Sequence, residues 1–187
     1  MAQQGRASAR VWCAEELFPM LACMDRIVIV GAGQGAAQCV EGLRRKGYPG
    51  AITVIGEEPV LPYQRPPLSK KYLAGELPID RMLLRHEAFY AEQRVEMRTG
   101  RRVMRLDRGR RCVNLDDGSL QAYDALVLAT GSRPRSLPLA GVKAAGVHVL
   151  RTMADADGLR VEAAAGKHAV IIGGGYIGLE TAATLRQ

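Results

Sequence analysis

Gly31, Gly33 and Ala36 stand in the order G-x-G-x-x-A, and Gly173, Gly175 and Gly178 repeat the spacing as a full G-x-G-x-x-G. At this spacing the first glycine permits a tight turn and the second lets backbone approach a pyrophosphate. A small third residue lets a helix lie close to its strand. The first pattern follows Ile27-Val28-Ile29-Val30, a β-branched run suited to a strand buried on both faces. Ala36, Val40 and Leu43 then recur at helical spacing, which predicts a helix whose amino terminus can hold phosphates. A second apolar run, Ile52–Ile55, leads to Glu57, about twenty residues past Ala36. A carboxylate there can accept hydrogen bonds from ribose hydroxyls. Strand, glycine turn, helix, strand and terminal acid together read as a dinucleotide-binding unit.

Directly beyond lies EEPVLPYQRPPLSKKYLAGE, residues 57–76. Pro62, Pro66 and Pro67 restrict φ, so the loop is stiff, and it presents Arg65, Lys70 and Lys71 next to the ribose position. An arginine fork suits phosphate oxygens, and a fixed ammonium can stabilise negative charge developing on a flavin. The chemistry alone leaves a solvated basic loop equally open.

PYQRPPLSK followed by a tyrosine-leucine pair resembles the flavoprotein reductases that pass electrons from NAD(P)H to ferredoxins or rubredoxins. Those enzymes serve bacterial oxygenase systems such as dioxygenases and cytochromes P450. The apoptosis-inducing flavoprotein shares their fold and a similar loop. Further matching stretches are 82–103, LVLATGSRPR at 126–135, and LRTMADADGLR at 150–160. The resemblance implies an α/β, Rossmann-like two-dinucleotide-binding flavoprotein fold of the glutathione reductase type, here truncated. By it, Gly31, Gly33 and Ala36, with Gln34 beside them, would hold the FAD pyrophosphate, and Glu57 its adenosine ribose. Arg65 would contact the diphosphate region, Lys70 would lie near the isoalloxazine ring, and Val103 would meet the adenine end through its backbone. Ala129, Thr130 and Gly131 would pass beside the cofactor, with Arg135 a further contact. Gly173, Gly175 and Gly178 would bind the NAD(P)H pyrophosphate. Glu180 would pair with Lys70 across the boundary of the two units, and these two residues are the candidates for a catalytic role. One departure is that the family usually has glycine where Ala36 stands, preceded by alanine, so that Gly35 and Ala36 look interchanged.

The same superfamily includes disulfide reductases with a redox-active C-x-x-x-x-C after the first unit. No cysteine lies between Cys39 and Cys112, so that dithiol relay is absent. Flavin-to-metal-centre transfer fits better than thiol chemistry. The four cysteines, Cys13, Cys23, Cys39 and Cys112, form no close pair, and the pattern reads as reduced thiols in a cytoplasmic protein with no structural zinc. His86, His148 and His168 are too dispersed for a ligand set.

The chain carries a net charge of +7, which calls for an anionic partner or a solvated excess. Residues 101–111 hold six arginines and one aspartate. They read as a solvated basic edge, or as a docking patch for an acidic ferredoxin. Nucleic acid is disfavoured, because no aromatic is interleaved and no reader helix appears. No apolar run reaches eighteen residues, so no membrane span is expected.

The domain organisation expected is an unpatterned extension over 1–24, with Met24 as the true start. The FAD-binding segment follows over 25–141, with an antiparallel excursion near 100–123, and an incomplete NAD(P)-binding unit over 142–187. Within that last part, Thr152–Ala165 reads as a helix and His168–Ile172 as a strand. The family's chains run to roughly twice this length. Two alternatives accompany the reductase reading: a truncated, catalytically inactive FAD-binding chain, and a signalling flavoprotein like the apoptosis-inducing relative.

Overall fold

The computed structural model describes residues 24–163 and 167–186. Residues 1–23 of the extension expected over 1–24, with Cys13 and Cys23, lie outside the described residues, as does the end of the helix expected to reach Ala165. The expectation that Met24 is the native start is not a structural one.

The first strand, β1 (Arg26–Val30), leads through the glycine turn into helix α1 (Gln34–Arg45), and β2 (Ala51–Gly56) lies parallel to β1. Both strands are buried on two sides, as their β-branched composition requires. Ile27, Ile29, Ile52 and Val54 face Ala36, Val40 and Leu43 of α1, while Val28 and Ile55 face the other way, against Val113, Leu115 and Tyr123. Each of these side chains is at most 1% exposed on β1 and β2, and burying one contributes roughly 2 kcal/mol. Helix α1 ends in a Schellman turn: Tyr48 N–H donates to Leu43 O and Gly47 N–H to Arg44 O, with Gly47 at φ +83°. That turn lets the chain reverse at once into β2.

The chain continues through the proline loop, which contains single 3-10 turns at Pro66–Ser69 and Ile79–Arg81, into the short helix α2 (Glu87–Glu92). Strand β3 (Val95–Thr99) joins β2 in parallel. The expected antiparallel excursion is β4 (Val103–Asp107), β5 (Cys112–Leu115) and β6 (Leu120–Ala122), in the order β4-β5-β6. A bulge between Val103 and Arg105 kinks the edge strand β4. Strand β7 (Ala125–Leu128) then returns beside β1, completing a parallel sheet in the order β3-β2-β1-β7. The small antiparallel sheet covers the face that α1 leaves open. This is the α/β layer arrangement of a dinucleotide-binding fold.

Helix α3 (Met153–Glu162) begins one residue later than the helix read from the sequence, and Ala163 is its C-cap. Thr152 stands outside it as the N-cap, in a capping box: its hydroxyl accepts from Asp155 N–H, and the Asp155 carboxylate accepts from Thr152 N–H. Met153 and Ala156 of α3 pack on Tyr63, Leu68, Tyr72 and Met82, so α3 is docked on the proline loop. The final helix, α4 (Tyr176–Leu185), follows the second glycine turn. No strand forms over His168–Ile172. A strand exists only by pairing, and this segment has no ladder partner among the described residues; Val170 is 88% and Ile172 72% exposed.

Candidate dinucleotide site at the two glycine turns

The first turn separates the work of its two glycines. Gly31 sits at φ +107°, and a Cβ on it would lie 2.2 Å from the Ala129 carbonyl oxygen. That carbonyl belongs to a backbone already tied down, because Ala129 N–H donates to Val30 O at 2.8 Å. Gly31 is therefore required by the protein's own packing. Gly33 is different: its backbone is extended, and a Cβ there would meet nothing within 4 Å. It is also the N-cap of α1, where no side chain caps the helix and no acid sits in the first turn. The positive end of α1 thus faces open space beside an unshielded backbone. A pyrophosphate fits that cradle, since it would occupy the space that a Cβ would fill and accept the uncapped N–H groups.

Gln34 and Gly35 form the exposed lip of the turn, whereas Ala36 is fully buried against the sheet. The Gly35–Ala36 interchange is accommodated because the Ala36 methyl belongs to the core. Ala129, Thr130 and Gly131 run past the turn from the end of β7, with Gly131 at φ +68°. Val103 begins β4 and packs partly against the second core face.

Glu57 lies at the carboxyl end of β2, where the spacing places it. Its carboxylate faces two arginines: Arg133 Nη2 is 3.1 Å from Oε2, and Arg102 Nη1 is 3.7 Å from Oε1. Neither arginine was singled out from the sequence. Arg135, which was, is exposed and makes no hydrogen bond or ion pair among the described residues. The missed signal is the position of Arg102 and Arg133, one just before β4 and one just after β7, both at the sheet end that carries Glu57.

Arg65 points inward. Its Nη2 donates to Glu58 Oε1 at 2.6 Å and its Nη1 to the Arg151 carbonyl at 2.6 Å. The Tyr63 hydroxyl donates to Glu58 Oε2 at 2.6 Å and accepts from Met153 N–H at 3.0 Å. Burial, together with the adjacent Glu58 carboxylate, pushes the Tyr63 hydroxyl well above the usual tyrosine range. This cluster ties three segments together: the end of β2, the proline loop, and the start of α3. As it stands in this structure, Arg65 shapes the loop rather than presenting a free fork.

The loop then delivers Lys70 to helix α4, which follows the second glycine turn. Lys70 Nζ lies 3.1 Å from Glu180 Oε1, joining residues 110 apart in the chain through one ion pair. Hydrogen bonds from Ser69 and Lys70, with the lysine charge, hold the Glu180 carboxyl below the usual glutamate range. The second turn repeats the division of labour seen in the first. Gly173 is at φ +112°, and a Cβ on Gly178 would lie 2.3 Å from Gly173 O, so both are required locally. A Cβ on Gly175 would meet nothing within 4 Å, and Gly175 is the uncapped N-cap of α4. Here the third position must be glycine, whereas the first turn tolerates Ala36.

Cys39 is half-buried on α1, and burial pushes its thiol up, away from thiolate chemistry. Of the arginine-rich stretch, Arg101 pairs with Asp117 and Arg102 with Glu57. Arg105, Arg108, Arg110 and Arg111 are exposed with no carboxylate partner among the described residues. No helix among the described residues is long and apolar enough to cross a membrane.

The chain is similar in sequence and fold to known proteins. The chain is 47% identical to a ferredoxin–NAD(P)(+) reductase from a Sphingomonas species, over 86% of this chain and 39% of that protein. It is 45% identical to putidaredoxin reductase from Pseudomonas putida, again over 86% of this chain and 39% of the relative. Among solved structures, a ferredoxin reductase from Rhodopseudomonas palustris matches with a TM-score of 0.81 at 41% identity, covering 87% of this chain and 40% of that one. The covalent putidaredoxin reductase–putidaredoxin complex matches with a TM-score of 0.78 at 43% identity, covering 87% and 40%. The chain thus spans about two fifths of the length of these relatives. Residues 25–187 match the family described as pyridine nucleotide-disulphide oxidoreductase, and the chain belongs to that family.

Proposed function

We propose that this chain carries the FAD-binding segment (25–141) and the opening of the NAD(P)-binding unit (142–187) of a cytoplasmic reductase of the EC 1.18.1 type. The reductase passes electrons from NAD(P)H to a ferredoxin or rubredoxin that serves an oxygenase or cytochrome P450. FAD, when bound, would supply acceptance of one hydride and release of its two electrons one at a time. The chain's own residues bind and orient. The open turn at Gly33 and the α1 terminus receive the FAD pyrophosphate, and Glu57, steadied by Arg102 and Arg133, receives the ribose. The turn at Gly175 receives the pyrophosphate of the nicotinamide cofactor. Lys70, paired with Glu180, puts a positive charge on the proline loop beside α4, where it would stabilise negative charge developing on a bound cofactor.

The observation that carries this reading is the Lys70–Glu180 bridge, which joins the loop after the first dinucleotide unit to the helix that opens from the second glycine turn. The lack of any cysteine between Cys39 and Cys112 favours a metal-centre acceptor over a disulfide. The test uses the natural protein that carries this sequence, supplied with NADH or NADPH and either a ferredoxin, a rubredoxin or a disulfide substrate. Reduction of an iron–sulfur or rubredoxin carrier, with the disulfide untouched, is the expected outcome. Reduction of the disulfide alone would overturn the proposal.

A further inference from the structure

A lysine ammonium is a compact charge on a flexible stem with no preferred direction of approach. An exposed lysine–carboxylate pair is accordingly worth little and is poorly fixed in space. Lys70 is half exposed, so its ion pair alone does not account for a defined position of the Glu180 carboxylate. Ser69 supplies what the lysine lacks. It ends the Pro66–Ser69 turn, whose two prolines fix φ, and it is 5% exposed. Its hydroxyl lies 2.6 Å from Glu180 Oε2, and 3.4 Å from the Pro66 carbonyl. With one proton to donate, the shorter and charge-assisted contact to Glu180 wins. On the other side, the Ser69 carbonyl accepts from Thr184 Oγ1 at 2.9 Å. Glu180 and Thr184 stand one turn apart on α4, so they share the face that meets the loop.

We propose that Ser69 is the positioning residue of the Lys70–Glu180 pair: its hydroxyl holds one oxygen of Glu180 so that the other is left facing the Lys70 ammonium. The Ser69–Thr184 bond is a separate hook that seats α4 on the loop. The functional meaning of the pair rests on the reductase reading above, but the geometry of the latch does not. The ionisable groups lining the cavity of about 320 Å³ shared with Glu180 are Lys70, Lys71 and Glu76. The depressed Glu180 carboxyl agrees with the geometry, Ser69 being its largest cause. The sign follows from that depression. The latch contributes fully above the ordinary glutamate range and is lost as pH falls through the lowered folded value.

The test is a carbon-13 carboxyl NMR titration of the full chain, with the Glu180 signal assigned by its loss in Glu180→Gln. In Ser69→Ala the Glu180 midpoint rises towards the ordinary glutamate value. In Thr184→Val, which removes the hook but keeps the hydroxyl-to-carboxylate bond, the midpoint stays at the wild-type position. Should Ser69→Ala not fold, Ser69→Cys, a near-isosteric and much weaker donor, must show the same rise. An unchanged midpoint on removing the hydroxyl overturns the proposal. So does an equal rise in Thr184→Val, because that would make the effect a general loosening of α4. The readout involves neither flavin nor electron carrier, so its failure is distinct from failure of the reductase reading.

Discussion

Gly31→Ala lowers the unfolding free energy by about 3 kcal/mol or more, while Gly33→Ala lowers it by less than about 1 kcal/mol. The two residues belong to one motif and differ by two positions, yet their surroundings separate them. A methyl on Gly31 would sit 2.2 Å from the Ala129 oxygen and 2.6 Å from its carbon, at a backbone φ of +107°. The obstructing atoms are backbone atoms held in the β1–β7 ladder, so no side chain can swing aside. Relief requires pulling β7 from β1 or opening the turn, and either exposes core. A methyl on Gly33 meets nothing, and the residue's extended backbone suits any amino acid. A whole domain has only about 5–15 kcal/mol of stability, so the first change is a large fraction of the total. Urea unfolding of both variants reads the difference as a shift in midpoint at constant slope. Equal midpoints for the two would contradict this reading of the turn.

Glu58→Ala is expected to cost about 2–3 kcal/mol, more than its position on a surface loop suggests. The carboxylate is the hub of the cluster that joins β2, the proline loop and the start of α3. Without it, the Arg65 guanidinium keeps a partly buried charge with no anion, and the Tyr63 hydroxyl loses its acceptor. Tyr63→Phe alone costs about 1 kcal/mol, since the aromatic ring still packs against Met82 and Met153. The double variant falls short of the sum, because both changes dismantle the same cluster. Urea midpoints for the two single variants and the double variant form the cycle. Strict additivity would show that the three segments are not coupled through Glu58.

The parts of the fold that could be read in advance are those set by local pattern. Ile27–Val30 and Ile52–Ile55 had to be doubly buried strands, and Ala36, Val40 and Leu43 had to line the inner face of a helix; all lie there. The parts that could not be read depend on what distant residues do. Arg102 and Arg133 reach Glu57 only because β4 and the segment after β7 come together at one sheet end, and no spacing announces it. The direction of Arg65 depends on the loop folding back on Glu58, so a residue with the chemistry of a phosphate fork is turned inward. The contact between Lys70 and Glu180 was suggested by family resemblance rather than by period or charge pattern. The role of Ser69 could not be seen until α4 was placed against it. His168–Ile172 shows the converse limit, because β-branched composition favours a strand but cannot supply a neighbour to pair with.

The central claim is that the uncapped turn at Gly33 holds the pyrophosphate of FAD. The most direct measurement is an equilibrium titration of the chain with FAD and with riboflavin, followed by flavin fluorescence, for wild type and Gly33→Ala. Riboflavin has the isoalloxazine ring but neither the pyrophosphate nor the adenosine, so the difference between the two ligands reports the whole ADP moiety, and the part of it that Gly33→Ala removes is the contribution of the turn. The account predicts that FAD binds at least about tenfold more tightly than riboflavin, a difference of about 1.4 kcal/mol. It predicts that Gly33→Ala reduces that advantage while keeping its fold. Equal affinity for the two flavins in the wild type, or an advantage that Gly33→Ala leaves unchanged, would contradict it.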